Sequence, residues 1–302
     1  MIRQGKYKDR PAVIVQSASL RAIFLPLDGA KLASLTDLKD GKELLATKDG
    51  EIYRTLEYDG SYVDSECSAF DDMFPTIDPY TPNEGTFSGI TYPDHGEICR
   101  LPSEFLIEGE KVVFKLSSRL FPITYEKTVS IGADGGIALD YRIHNFSDEP
   151  FEFIYAGHIM LRGEDGAVLV TPFKDGARTE MIFATEGYPE HELPRDRLTG
   201  YKPGTGAAYK FYYTEPIEKG FFSLQYPSGR ELRFEYDKRR LPYLGVWLNN
   251  GEFQNIYSIS PEPCTAPFDA PDKARAKGFC SELSADEIFE FSISITVGQA
   301  KS

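Results

Sequence analysis

Phe289-Glu290-Phe291-Ser292-Ile293-Ser294-Ile295-Thr296-Val297 alternates apolar and polar side chains at every step. Successive strand residues point to opposite faces of a sheet, so this stretch predicts a strand with one buried and one wetted face. Ile137, Leu139, Tyr141 and Ile143 alternate with Ala138, Asp140 and Arg142 in the same way, as do Leu232, Phe234 and Tyr236 with Glu231, Arg233 and Glu235. Shorter strands are expected at 12–16, 112–117, 167–171, 209–213, 221–226 and 256–260. Turn formers separate these runs: Gly132-Ala133-Asp134-Gly135-Gly136, Pro227-Ser228-Gly229 and Asn249-Asn250-Gly251. Only 271–277 reads as a helix, with Pro271 suited to its first turn. Many short strands punctuated by Gly, Pro and Asn predict an all-β chain folded as a large antiparallel β-sandwich.

The 302 residues are enough for one large β domain, and no shift in composition marks a boundary, so 1–302 is expected to form a single domain. A chain of this length buries enough surface to need no disulfide staples. The 21 Phe, 18 Tyr and one Trp suit strands. Most belong to a core, and a few are available to line a ligand site. A net charge of −14 repels phosphate backbones and anionic lipid, which argues against nucleic-acid and membrane partners. Cys67, Cys99, Cys264 and Cys280 form no C-x-x-C pair, which removes zinc-ribbon and thioredoxin-type readings. The opening residues lack the apolar core of a secretion signal, and no apolar run could span a bilayer. A cytoplasmic protein with four free thiols is expected.

Two stretches lack regular patterning, 59–104 and 184–206. The first holds Asp71, Asp72, Phe74, Tyr80, Tyr92 and His95, too aromatic for disorder, and is read as a structured site loop. No dinucleotide fingerprint, P-loop or nucleophile elbow is present. No two histidines lie close in sequence, so no catalytic metal is expected, though carboxylate loops could still bind a structural ion, and no other cofactor is expected. Of the four histidines, His144 suits a hydrogen-bonded turn and His191 a solvated one. His95, in Pro93-Asp94-His95-Gly96-Glu97, and His158, in Tyr155-Ala156-Gly157-His158-Ile159, have richer settings. Glu262 stands between Pro261 and Pro263, which restrict its backbone. That is either a kinked edge turn or the fixing of a base that must be positioned.

Taken together these segments resemble the galactose mutarotases and related aldose 1-epimerases. Asp94-His95-Gly96-Glu97-Ile98-Cys99-Arg100 is similar to the family's His-Gly segment, and Gly157-His158 to its second histidine. Asp71-Asp72-Met73-Phe74-Pro75-Thr76 is similar to the Phe-Pro segment that precedes the first. Leu241 to Trp247, then Pro261-Glu262-Pro263-Cys264-Thr265 and Asp269, resemble its C-terminal block. Order and spacing agree from about residue 20 to 298.

The resemblance implies a mutarotase-like supersandwich with a sugar site on one open face. It implies Glu262 as the general base at the C1 hydroxyl, and His158 as the general acid at the ring oxygen with His95 beside it. A carboxylate and an imidazole supply both proton transfers near neutrality without a cofactor. The candidate substrate contacts are Asp72, Phe74, Arg100, Lys210 and Trp247, with Tyr92 a further candidate for the cleft wall. Departures fall among the hydroxyl-reading groups: the family's substrate-binding Asp belongs near 209–212, where this chain has Tyr209-Lys210-Phe211-Tyr212. Lys210 there suggests a substrate bearing a carboxylate or another acceptor-rich group. The leading expectation is an aldose 1-epimerase acting on an unidentified sugar, as a monomer or homodimer. The alternatives are a non-catalytic carbohydrate-binding protein on the same fold, and a sugar-phosphate 1-epimerase using Arg100 and Lys210.

Overall fold

The alternation around Phe291 produces the longest strand, Ile288–Gln299. It lies at the centre of a sheet because both of its neighbours carry the same pattern. Ile293 pairs with Leu139 on one side and with Tyr236 on the other, so the apolar rows register across three strands. The structure, a computed structural model, describes residues 1–174, 176–185, 197–198 and 204–300.

Two antiparallel sheets carry the fold. The first runs in space as Ile2–Tyr7, Arg10–Gln16, Leu20–Leu25, Lys31–Asp37, Phe70–Met73, Ala156–Ile159, Tyr257–Cys264, Tyr243–Asn250, Ala208–Tyr213 and Thr179–Ala184. The second runs as Arg197–Leu198, Val168–Val170, Phe221–Gln225, Arg230–Tyr236, Ile288–Gln299, Ile137–Asn145, Ile123–Ile131, Lys111–Ser117 and Glu104–Glu108. One apolar core contains residues of both sheets, among them Phe24, Phe70 and Leu244 of the first and Tyr125, Ile143 and Phe291 of the second. The expected helix is there as Pro271–Ala276. Among the described residues no helix is long and apolar enough to cross a membrane.

Two details differ from the sequence reading. Asn249 and Asn250 belong to a strand, and the turn follows them, because the Asn249 amide clamps it with bonds to both the N–H and the carbonyl of Phe253. Pro261-Glu262-Pro263 lies within the strand Tyr257–Cys264, inside the sheet and away from its edge. Proline has no N–H for a ladder. The strand pairs with Leu161 at Ile259 and with Ala156 at Cys264 on one side, and no pair forms between. That gap holds both prolines, so neither deprives a neighbour of a donor.

Candidate active site

The pleat of the first sheet sorts its side chains between the core and the outer face. Along Phe70–Met73 the ring of Phe70 joins the inter-sheet core, whereas Asp71 reaches Lys31 Nζ at 2.7 Å and the Tyr62 hydroxyl at 2.8 Å. Asp72 turns back inside, where it pairs with Lys127 and accepts hydrogen bonds from Tyr125 (2.8 Å) and Tyr155 (2.6 Å). His158 stands opposite Asp71 in the register, and Glu262 lies on the next strand, opposite Gly245. Gly245 is needed there, because a Cβ would meet Cε1 of Tyr212 at 2.7 Å.

The loop from 59 to 104 folds over this face. Tyr62 stacks on His95 with centroids 4.0 Å apart and planes 9° from parallel, and its ring meets His158 edge-on at 5.8 Å. His95 and His158 are themselves edge-on at 5.7 Å. His95 adopts φ 58°, and Gly96 behind it (φ +74°) presses so close to Phe74 that a Cβ would sit 2.4 Å from a backbone oxygen. Nδ1 of His95 donates to Asp94 at 2.8 Å, which leaves Nε2 as the ring nitrogen available to a ligand.

The result is a cleft of about 320 Å³ whose wall includes Tyr62, His95, His158, Lys210, Trp247 and Asp269. Phe183 and Phe253 flank Trp247 at 5.7 and 5.4 Å and give the mouth an aromatic rim. A larger depression of about 460 Å³ on the second sheet, between Glu104, Lys115, Glu126 and Arg142, is an exposed patch of ion-paired surface and gathers no histidine.

At the cleft floor, His158 Nε2 lies 3.6 Å from Glu262 Oε1, beyond hydrogen-bond length. Glu262 has no exposed surface. Both of its oxygens and His158 Nδ1 are buried without a hydrogen bond among the described residues, and Oε2 has an ion pair only. Lys210 Nζ bridges Glu262 Oε2 at 2.9 Å and Asp269 Oδ1 at 2.8 Å, and Tyr212 donates to the same Asp269 oxygen at 2.6 Å. Burial, with the neighbouring His95, Lys210 and Lys31, pushes the His158 pKa well below that of a free imidazole, so the ring is neutral near pH 7. Burial raises the Glu262 carboxyl while Lys210 pulls it back. Burial alone would strip Lys210 of its proton, but Asp269 and Glu262 raise its pKa instead and hold it as an ammonium.

Four of the residues named from sequence line one cleft, His158, His95, Lys210 and Trp247, and Glu262 lies buried behind them, against Lys210 and 3.6 Å from His158. Four others do not. Asp72 faces the core on the opposite side of its strand from Asp71. Phe74 packs against Phe151 and Phe153 at 5.9 and 5.4 Å, and Tyr92 is buried against Phe121 and Phe151. Arg100 spends its donors on the carbonyls of Gly96, Tyr58, Gly60 and Asp94, stapling the site loop from behind. Lys210 lines the cleft, but its charge is already matched by two carboxylates, which removes the support it gave to an anionic substrate. His144 bonds Asp286 at 2.8 Å, and His191 lies outside the described residues. Asp71 and Tyr62 were missed as site residues. Asp71 had a signal, as one of two adjacent acids, but Tyr62 had none beyond an aromatic-rich loop.

No protein-family profile and no curated protein matches the chain. Solved structures do. The Slr1438 protein of Synechocystis sp. PCC 6803 superposes with a TM-score of 0.69 at 15% identity, over 99% of this chain and 100% of that one. A galactose mutarotase-like protein from Lactobacillus casei ATCC 334 gives 0.66 at 16% identity, over 95% and 100%. Another from Clostridium acetobutylicum gives 0.65 at 14% identity, over 99% of each chain. The sheet order, the sandwich core and these superpositions agree: the chain has the galactose mutarotase-like fold.

Proposed function

We propose that this chain binds a sugar in the cleft and interconverts its α and β anomers by general acid–base catalysis. The carrying observation is the buried Glu262 carboxylate 3.6 Å from His158, each with an unpartnered polar atom, beneath an aromatic-rimmed cleft. A hemiacetal opens when one proton leaves the C1 hydroxyl and another reaches the ring oxygen. Glu262 takes the first. His158, neutral at rest, takes up a proton from solvent as the sugar binds and gives it to the ring oxygen, and the neighbours that depress its pKa make the protonated ring a ready donor. The C1 to ring-oxygen bond breaks as the C1 carbonyl forms. Rotation about C1–C2 and the reverse transfers then close the ring on the other face. His95, locked by Asp94 and by its stack on Tyr62, presents Nε2 to the same sugar.

On this reading residues 1–302 form one carbohydrate-handling unit, a monomer or homodimer of a reducing cytoplasmic compartment, its four cysteines unpaired. A second reading, sugar binding without turnover, is favoured by one observation: the Lys210 ammonium sits against Glu262, which has no exposed surface. A sugar-phosphate substrate has lost its two proposed cations, since Arg100 and Lys210 are both engaged. Polarimetry on freshly dissolved single anomers of hexoses, pentoses, uronic acids and sugar phosphates separates the readings. Catalysis speeds the approach to equilibrium for at least one sugar and is lost in Glu262→Gln. Binding without any acceleration gives the cleft to the second reading.

A further inference from the structure

A carboxylate with no exposed surface has no water to stabilise its charge, and an isolated one would take up a proton. Glu262 is in that position, yet the proposed reaction needs it ionised. The groups that face it come from four segments. They are Lys210 on the strand Ala208–Tyr213, Asp269 beyond the strand end, His158 on Ala156–Ile159, and His95 on the folded-over loop. Cys264 neighbours it on its own strand. Of these, His158 is neutral, Asp269 repels the carboxylate, and Lys210 is the cation in direct contact.

We propose that Lys210 is a positioning residue that keeps Glu262 ionised where water cannot, sharing its one charge between Glu262 and Asp269. The sharing is unequal in consequence. Asp269 has a second donor in the Tyr212 hydroxyl at 2.6 Å, whereas the other ion-pair partner of Glu262 among the described residues, His158, stands at 3.6 Å. Removing the ammonium therefore leaves Asp269 with a hydrogen bond and Glu262 without a cation in contact. Burial and Asp269 both raise the Glu262 pKa, and Lys210 opposes them. The inference rests on the reading of Glu262 as the base, but the state of its carboxyl can be read without turnover.

Two readouts test it. The first is the protonated-carboxyl infrared band of Glu262, assigned as the band that Glu262→Gln removes and titrated against pH. The second is the acid limb of kcat/KM for anomer exchange. In Lys210→Met both move to higher pH by about 1 to 3 units, the effect of an opposite charge at this range. Lys210→Arg restores both. Asp269→Asn, which ends the competition for the ammonium, moves both to lower pH, and this variant carries the test if Lys210→Met fails to fold. A Glu262 band and acid limb that stay put in both variants overturn the proposal. Absence of anomer exchange in the wild type would sink the proposed function, and the infrared titration would still decide the role of Lys210.

Discussion

Lys127→Met should cost the fold roughly 3 kcal/mol while leaving the cleft intact. Lys127 is 1% exposed and Asp72, its partner, is wholly buried between the sheets. Removing one member of such a pair strands a charge and typically costs about 3 to 5 kcal/mol. Here the low end applies, because the Tyr125 and Tyr155 hydroxyls still donate to Asp72. Lys127 also donates to the carbonyl of Ala30 at 2.9 Å, and that bond is lost as well. With a urea slope of about 3 kcal/mol per M for a chain of this size, the unfolding midpoint should fall by about 1 M. Asp72→Asn in the same background should recover part of the loss, since no net charge then stays buried. Sugar affinity of the folded variant, read by ligand line broadening, should match the wild type, because Asp72 faces away from the cleft. A midpoint that stays put, or affinity that disappears from folded protein, would refute this account of Asp72.

Asp71→Asn should weaken sugar binding or exchange about tenfold by loosening Lys31 and Tyr62, and because it strands the buried Lys31 ammonium it should also destabilise by about 3 kcal/mol, as judged by urea unfolding. Gly96→Ala meets backbone at φ +74° and cannot be accommodated by a side-chain shift, so it should destabilise by about 1 to 3 kcal/mol and reduce exchange through a displaced His95. Stability should also fall on acidification below about 6.5, the ordinary histidine value. The folded state holds His158 neutral while the unfolded chain takes up a proton, so stability is complete above 6.5 and lost as pH drops toward the depressed value. Urea midpoints from pH 7 to pH 5 should therefore slope less in His158→Gln than in the wild type.

Period-two patterning made the sandwich legible, because a strand with one wetted face writes its pleat into the sequence, as Ile137–Asn145 and Ile288–Gln299 do. The site was legible only where short motifs fix single residues, as at His95-Gly96, Gly157-His158 and Glu262. Phe70–Met73 hid its pleat because all four residues are buried, one acid outward against Lys31 and one inward against Lys127. Nothing in the sequence distinguishes Asp71 from Asp72, and the choice depended on which buried lysine each would find. Arg100 misled for a related reason. A guanidinium suits a phosphate, yet its partners are carbonyls, two of them some 40 residues earlier, contacts that only the folded loop creates. The Lys210 bridge was equally invisible, since Asp269 lies 59 residues away in sequence (269 minus 210).

The most direct test of the central claim is two-dimensional exchange NMR of the α and β anomeric protons of a sugar that binds. The spectra would be recorded side by side on the wild type and Glu262→Gln at equal saturation. Exchange cross-peaks that grow with the wild-type protein and vanish in the variant, with binding retained in both, are the predicted result. Cross-peaks of equal size with and without the wild type, for every sugar that binds, would contradict the account and make Glu262 a structural carboxylate.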